Sequence, residues 1–156
     1  MRRSSLIRLL LSGFVAIAAL SPSQAANAAG IKIGVVISQT GPGASLGIPQ
    51  AKTVPLLPKE IAGENVEYIV LDDGSDATKA VSNARKLITD DQVDALIGGS
   101  ITPASIALVQ VAAETQTPFI SLAGSSLVVA PMDEKKKWAF KSPQNDALMA
   151  AAIADH

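Results

Sequence analysis

The run Ile31 to Ile37 (I-K-I-G-V-V-I) is almost wholly apolar and β-branched. A strand with one face in water alternates apolar and polar residues, whereas a near-continuous apolar run belongs to a strand covered on both faces. Further candidate strands follow at 66–71 (V-E-Y-I-V-L), 95–97 (A-L-I), 119–121 (F-I-S) and 138–140 (W-A-F). Between them lie stretches of helical period. Ala77, Ala80, Val81, Ala84, Leu87 and Ile88 share one helix face, with Asp76 placed to cap its start. Residues 103–114 predict another helix, with Thr102 as N-cap and Pro103 in its first position. Residues 145–153 begin a further one. Repetition of strand, loop and helix predicts an α/β fold, an open parallel sheet with helices on both faces. Its crossovers are expected to be right-handed.

Other segments are less regular. Residues 38–47 are rich in Gly and Ser and read as a loop. Residues 49–61 are helical only in part, because Pro49, Pro55 and Pro58 forbid one regular helix across them. Ala62-Gly63 reads as the end of that helical stretch. Lys135-Lys136-Lys137 is expected to be a solvated turn. From 147 to 156 a helix is under way without Gly, Asn or Pro to end it. The expectation is a fragment or truncated product of a larger architecture.

The first 28 residues have a different character. Arg2, Arg3 and Arg8 precede a short apolar run at 9–20, the breaker Pro22, and two small-residue frames, Ser23-Gln24-Ala25 and Ala26-Asn27-Ala28. Charge, short apolar core and small-residue exit, in that order, are those of a cleavable secretory signal peptide. The apolar run is shorter than the roughly 20 residues that span a bilayer. Export, with a periplasmic destination, is therefore expected for residues 30–156. There is no cysteine, so neither disulfides nor a lipidated N-terminal Cys enter the argument. Without residues 1–28 the chain keeps 10 Lys+Arg against 14 Asp+Glu, a net charge of −4. Mild acidity and 3% aromatic residues provide neither the basic footprint nor the stacking platforms of a nucleic-acid binder.

In an open parallel sheet, ligands bind beyond the carboxyl ends of the strands. Those ends are residues 38–47, 72–76, 98–102 and 121–126, and three of the four are rich in Ser, Thr and Gly. Hydroxyls and backbone N–H groups at helix starts suit a carboxylate or another small anion. Thr102 and Ser125 each supply such a hydroxyl. Ordinary turn and cap duty explains these residues about equally well. Catalysis has little support, since the only histidine is the last residue, His156. A Ser–His pair or a His-containing metal site would rest on a fraying end. Asp72, Asp73 and Asp76 lack the spacing and glutamate of a calcium loop, and turn or cap duty is expected of them. A dinucleotide site is opposed by spacing: Gly41, Gly43 and Gly47 start four residues past the strand, and the third comes one residue late.

Five segments in order resemble one known family, the periplasmic binding proteins of the branched-chain amino acid (Leu/Ile/Val-binding) type. These are I-K-I-G-V-V-I-S-Q-T-G-P (31–42), L-D-D-G-S-D-A-T-K-A-V-S-N-A-R-K-L (71–87), I-G-G-S-I-T-P-A-S (97–105), P-F-I-S-L-A-G-S-S (118–126) and W-A-F-K-S-P-Q-N-D (138–146). The resemblance implies the N-terminal lobe of a two-lobed, non-enzymatic clamp that delivers its ligand to the membrane permease of an ABC importer. It needs no cofactor and no metal. By position it implies that Thr102, with Ser100 nearby, and Ser125 hold the ligand's carboxylate. The carbonyl of Ala123 would meet its ammonium, and Leu46 would lie against its side chain. The second lobe, with the acidic partner of the ammonium, would be absent. The expected ligand is a branched-chain or related amino acid, or another small carboxylate. A ligand-sensing module for a signalling receptor and a non-functional truncated fragment stay open as alternatives.

Overall fold

The structure is a computed structural model that describes residues 30–156; the signal-peptide assignment falls outside them. Residues Ile31–Ile37 form β1, in which Val35, Val36 and Ile37 are all buried, as its nearly continuous apolar run demands. Helix α1 (Ala44–Thr53) follows and runs into a 3-10 turn at Val54–Leu56. A two-residue strand β2 (Glu60–Ile61) then pairs with the long β3 (Glu64–Asp72). Next come α2 (Ala77–Thr89), β4 (Ala95–Gly98), α3 (Thr102–Thr115), β5 (Phe119–Ser121), β6 (Ala139–Lys141) and α4 (Asp146–Ala154).

The six strands form one sheet in the order β2-β3-β1-β4-β5-β6. Every pair is parallel except the β2–β3 hairpin. From β1 the chain steps out to β3, then crosses to the other side of β1 to lay down β4. The strand order therefore reverses between β1 and β4, and a crevice opens there as their following loops diverge.

Helices lie on both faces. On one side α2 and α3 bury Ala80, Ala84, Leu87, Leu108 and Val111 against Val36, Leu96 and Phe119. Small residues on α2 bring its axis close to α3 and the sheet. On the other side α1 lies over β1, with Gln50, Thr53 and Val54 facing Val35 and Ile37 across a groove.

Three local expectations change. The helix after β1 starts within the expected loop, at Ala44, and carries Pro49 inside it. It ends at Thr53, before Pro55, because a second interior proline would remove a further N–H from a helix of ten residues. Ala62-Gly63 ends no helix. With φ of 53° and 87° these two residues are the turn of the β2–β3 hairpin, whose two central positions both need positive φ. Thr102 does not cap α3 either: the Ser105 N–H donates to the Ile101 carbonyl at 3.0 Å, so Ile101 holds the cap position and Thr102 is the first helical residue. Asp76 does cap α2, accepting from the Lys79 N–H at 2.7 Å.

Candidate functional site

The crevice at the strand reversal is built from three loops. The one after β1 is drawn toward the sheet by Gly47, because a side chain there would collide with the Ser38 carbonyl. Only glycine permits α1 to start so near the strand it follows. The loop after β3 holds it from the other side through one carboxylate. Asp72 Oδ1 accepts from the backbone N–H of Gln39 (2.8 Å), Thr40 (3.2 Å) and Gly74 (2.9 Å), and Oδ2 accepts from the Thr40 hydroxyl at 2.6 Å. Burial of this carboxyl opposes its ionisation, yet the hydrogen bonds from Thr40, Gly74 and Gln39 together prevail. They lower its pKa from 3.8 to about 2. Ser75 adds a second tie, donating to the Thr40 carbonyl at 2.8 Å and accepting from the Gly43 N–H at 2.9 Å.

Beneath these ties runs a buried polar chain. Asp73, fully buried, accepts from the Ser38 hydroxyl (2.7 Å) and the Ser75 N–H (2.8 Å) on Oδ1. Its Oδ2 has no partner among the described residues. The Ser38 N–H donates across the strand reversal to the Ser100 hydroxyl at 3.0 Å, and that hydroxyl donates to Gln50 Oε1 at 2.5 Å. Ser100 thus links β1, the loop after β4 and α1, with its single proton directed at Gln50. Where α3 packs on the next strand, β5, the Ser105 and Ser121 hydroxyls meet at 2.8 Å. Ser105 also donates to the Gly99 carbonyl (2.8 Å), so Ser121 must supply the proton between the two hydroxyls. Ser121 also accepts from the Ala123 N–H at 3.1 Å.

The residues singled out from sequence all lie at the carboxyl-end edge, in different states. Ser100 is buried and engaged as described. Thr102 is half-buried at the start of α3, and its hydroxyl bonds to none of the described residues. Ala123 is buried after β5. Ser125 is half-buried and accepts from the Leu127 N–H at 3.3 Å, capping a 3-10 turn at Ser126–Val128 while its own proton stays uncommitted among the described residues. Leu46 stands on the first turn of α1, 51% exposed. Sequence reasoning did not single out Ser38, Gln50, Ser105 or Ser121, and gave Asp73 turn or cap duty without its buried bond to Ser38. Ser38 and Ser121 each stand beside or inside an apolar run, a signal that marks a buried network only once the strands are paired. Among the described residues, no cluster of three or more His, Asp or Glu side chains is arranged to hold a metal ion. None of the described helices is long and apolar enough to cross a membrane.

Comparison with known proteins bears on this edge. The family described as "Periplasmic binding protein" matches residues 30–155. Among solved structures, an extracellular ligand-binding receptor from Rhodopseudomonas palustris HaA2 is 56% identical with a TM-score of 0.78, over 80% of this chain and 35% of that one. A leucine binding protein from Thermotoga maritima MSB8 is 27% identical with a TM-score of 0.67, over 80% of this chain and 35% of that one. An ABC transporter solute binding protein from R. palustris BisB5, in complex with 3,4-dihydroxybenzoic acid, is also 27% identical at a TM-score of 0.67, over 74% of this chain and 32% of that one. A search of curated proteins finds no match. The chain spans about a third of the length of these solved relatives. With its sheet order, its crevice and a match across nearly all of its described residues, the chain belongs to the periplasmic binding protein family.

Proposed function

We propose that this chain is the ligand-gripping first lobe of an exported solute-binding component of an ABC importer, which captures a small carboxylate unchanged and passes it to a membrane permease. The observation that carries the reading is the set of polar groups at the carboxyl-end edge of the sheet, in the loops after β4 and β5. Among the described residues Thr102 keeps its hydroxyl uncommitted, at the first position of α3, where the helix also presents its first N–H groups. Among the same residues Ser125 keeps its proton uncommitted while its oxygen caps a turn. Two hydroxyl donors at one sheet edge, one of them at a helix start, suit a carboxylate.

In this reading Thr102 and Ser125 donate to the carboxylate, and the Ala123 carbonyl accepts from an ammonium if the ligand carries one. Ser100, whose proton goes to Gln50, serves to hold the loop rather than to grip the ligand first. Leu46 borders the open side of the site. One of the solved relatives is named a leucine binding protein and another holds 3,4-dihydroxybenzoic acid. A carboxylate is what those two ligands share. A branched-chain amino acid remains the finer reading, because Ala123 offers a carbonyl for its ammonium.

The test is calorimetric titration of leucine and of 3,4-dihydroxybenzoate into this chain fused to the remaining two thirds of the 56%-identical receptor. Binding of one carboxylate is expected, with Thr102→Ala and Ser125→Ala each weakening it about 10- to 100-fold, the value of a hydrogen bond to a charged group. Unchanged affinity in both variants would sink the residue assignment. Chemical turnover of either ligand would sink the transport reading.

A further inference from the structure

The loop from Ala123 to Ser125 is held at its middle residue by a side chain from the neighbouring strand. Strand β6 pairs in parallel with β5 and sets Lys141 opposite Ser121, so its carboxyl end opens on the same edge as the loops after β4 and β5. From the last position of β6 the half-buried Lys141 reaches back to the β5 loop. Its ammonium donates to the Gly124 carbonyl at 2.8 Å and to the Gln144 carbonyl at 2.8 Å. An ammonium has three N–H groups, and the third finds no acceptor among the described residues. None of the ion pairs among those residues includes Lys141. Its charge therefore faces backbone carbonyls rather than a carboxylate.

The same carbonyl is tied a second time. The Asp146 N–H, at the start of α4, donates to it at 3.2 Å. The Asp146 carboxylate packs against Gly124 in the space that a side chain there would take. In a trans peptide unit the carbonyl and the following N–H point in opposite directions. The Gly124–Ser125 bond is trans. With the Gly124 carbonyl turned to Lys141 and α4, the Ser125 N–H points away from both. Among the described residues that N–H has no acceptor, and the hydroxyl proton of the same serine has none either. Ser125 thus presents two unspent donors beside a peptide plane that Lys141 holds.

We propose that Lys141 is the positioning residue of the carboxylate grip: its ammonium sets the direction of the Gly124–Ser125 peptide, and its charge favours an anion at Ser125 over a neutral group of the same shape. The proposal rests on the assignment of Ser125 to a ligand carboxylate. Without Lys141 the Gly124 carbonyl loses its charged donor and keeps only the longer bond from Asp146, so the peptide is freer to turn. A carboxylate also loses the attraction of a nearby half-buried charge, whereas the matching carboxamide has no such attraction to lose. Lys141 therefore acts on the choice of ligand as well as on the strength of binding.

Two arms test it, one with ligand and one without. In the first, leucine, 3,4-dihydroxybenzoate and their carboxamides are titrated calorimetrically into the fusion described above and into its Lys141→Met and Lys141→Arg variants. Lys141→Met should cut the preference for acid over amide about tenfold, the value of one charge-assisted hydrogen bond, while Lys141→Arg keeps most of it. A lysine that only braces the fold would weaken acid and amide alike, so equal loss of both, or no loss, overturns the proposal. In the second arm the ligand-free chain carries ¹³C-carbonyl glycine and ¹⁵N serine. Its three Gly–Ser pairs, at 74–75, 99–100 and 124–125, give one amide signal each. The Ser125 signal should move in Lys141→Met and hold its place in Lys141→Arg, with Ser75 and Ser100 as internal references. A Ser125 signal that does not move overturns the proposal. Lys141→Gln takes the place of Lys141→Met if circular dichroism shows that the latter does not fold. Absence of binding by the unsubstituted fusion overturns the carboxylate reading, and the amide signals still decide whether Lys141 orients the peptide.

Discussion

Asp72 concentrates much of the order at the crevice in one side chain, since its carboxylate accepts three hydrogen bonds from the loop after β1 and a fourth from Gly74 in its own loop. Its pKa in the folded chain is about 2, below the 3.8 of a free carboxyl, so the fold favours the ionised form. That contribution to stability is complete above pH 3.8 and is lost as pH falls through about 2. Asp72→Asn should cost about 1–3 kcal/mol at pH 7. In urea melts at pH 7 and pH 2, the gap between wild type and variant should narrow at the lower pH; a constant gap would show that the charge is not what holds the loops. Gly47→Ala should also destabilise, by about 1–3 kcal/mol or more, because the added methyl meets the Ser38 carbonyl, an unyielding backbone group. The turn and cap duty of Asp72 to Asp76 was legible from residue type. The partners on Gln39 and Thr40 were not, because they lie some thirty residues away and are brought near only by pairing of β1 with β3.

Helix starts show how far local chemistry reaches. Asp76 and Thr102 each precede or begin an apolar stretch and look alike as caps, yet only Asp76 accepts a hydrogen bond from its helix. Asp76→Ala should lower stability by about 1 kcal/mol in a urea melt, and Thr102→Ala by less than about 0.5 kcal/mol. That contrast matters for the site, since a threonine free of capping keeps its hydroxyl for another partner. A loss from Thr102→Ala equal to that from Asp76→Ala would mean that it caps after all. Among strands, β1 was legible to the residue because its run is almost wholly apolar and β-branched. The hairpin strand β2 was not, since two exposed residues carry no periodicity and their pairing rests on the positive φ of Ala62 and Gly63.

Across the whole molecule, stability rests on the layer where α2 and α3 meet the sheet. Leu87 is fully buried there, and Leu87→Ala should cost about 2–5 kcal/mol, read as a lower urea midpoint with little change in slope. Loss of cooperativity instead would show that this layer is not the common core. The sequence by itself determined the class of fold: apolar β-branched runs alternating with helical stretches can satisfy their burial only as a parallel sheet between helices. It also determined which four loops would gather at one edge, because parallel strands end on the same side. Only the tertiary structure decided the strand order, which sets the reversal between β1 and β4 and so chooses the loops that face each other. It alone decided that Ser100 is tied to Gln50 while Thr102 is left uncommitted among the described residues, and that Lys141 reaches back from β6 to the Gly124 carbonyl. Burial pattern is a property of neighbours along the chain, whereas order, register and the spending of each proton depend on neighbours that the chain supplies only once it has folded.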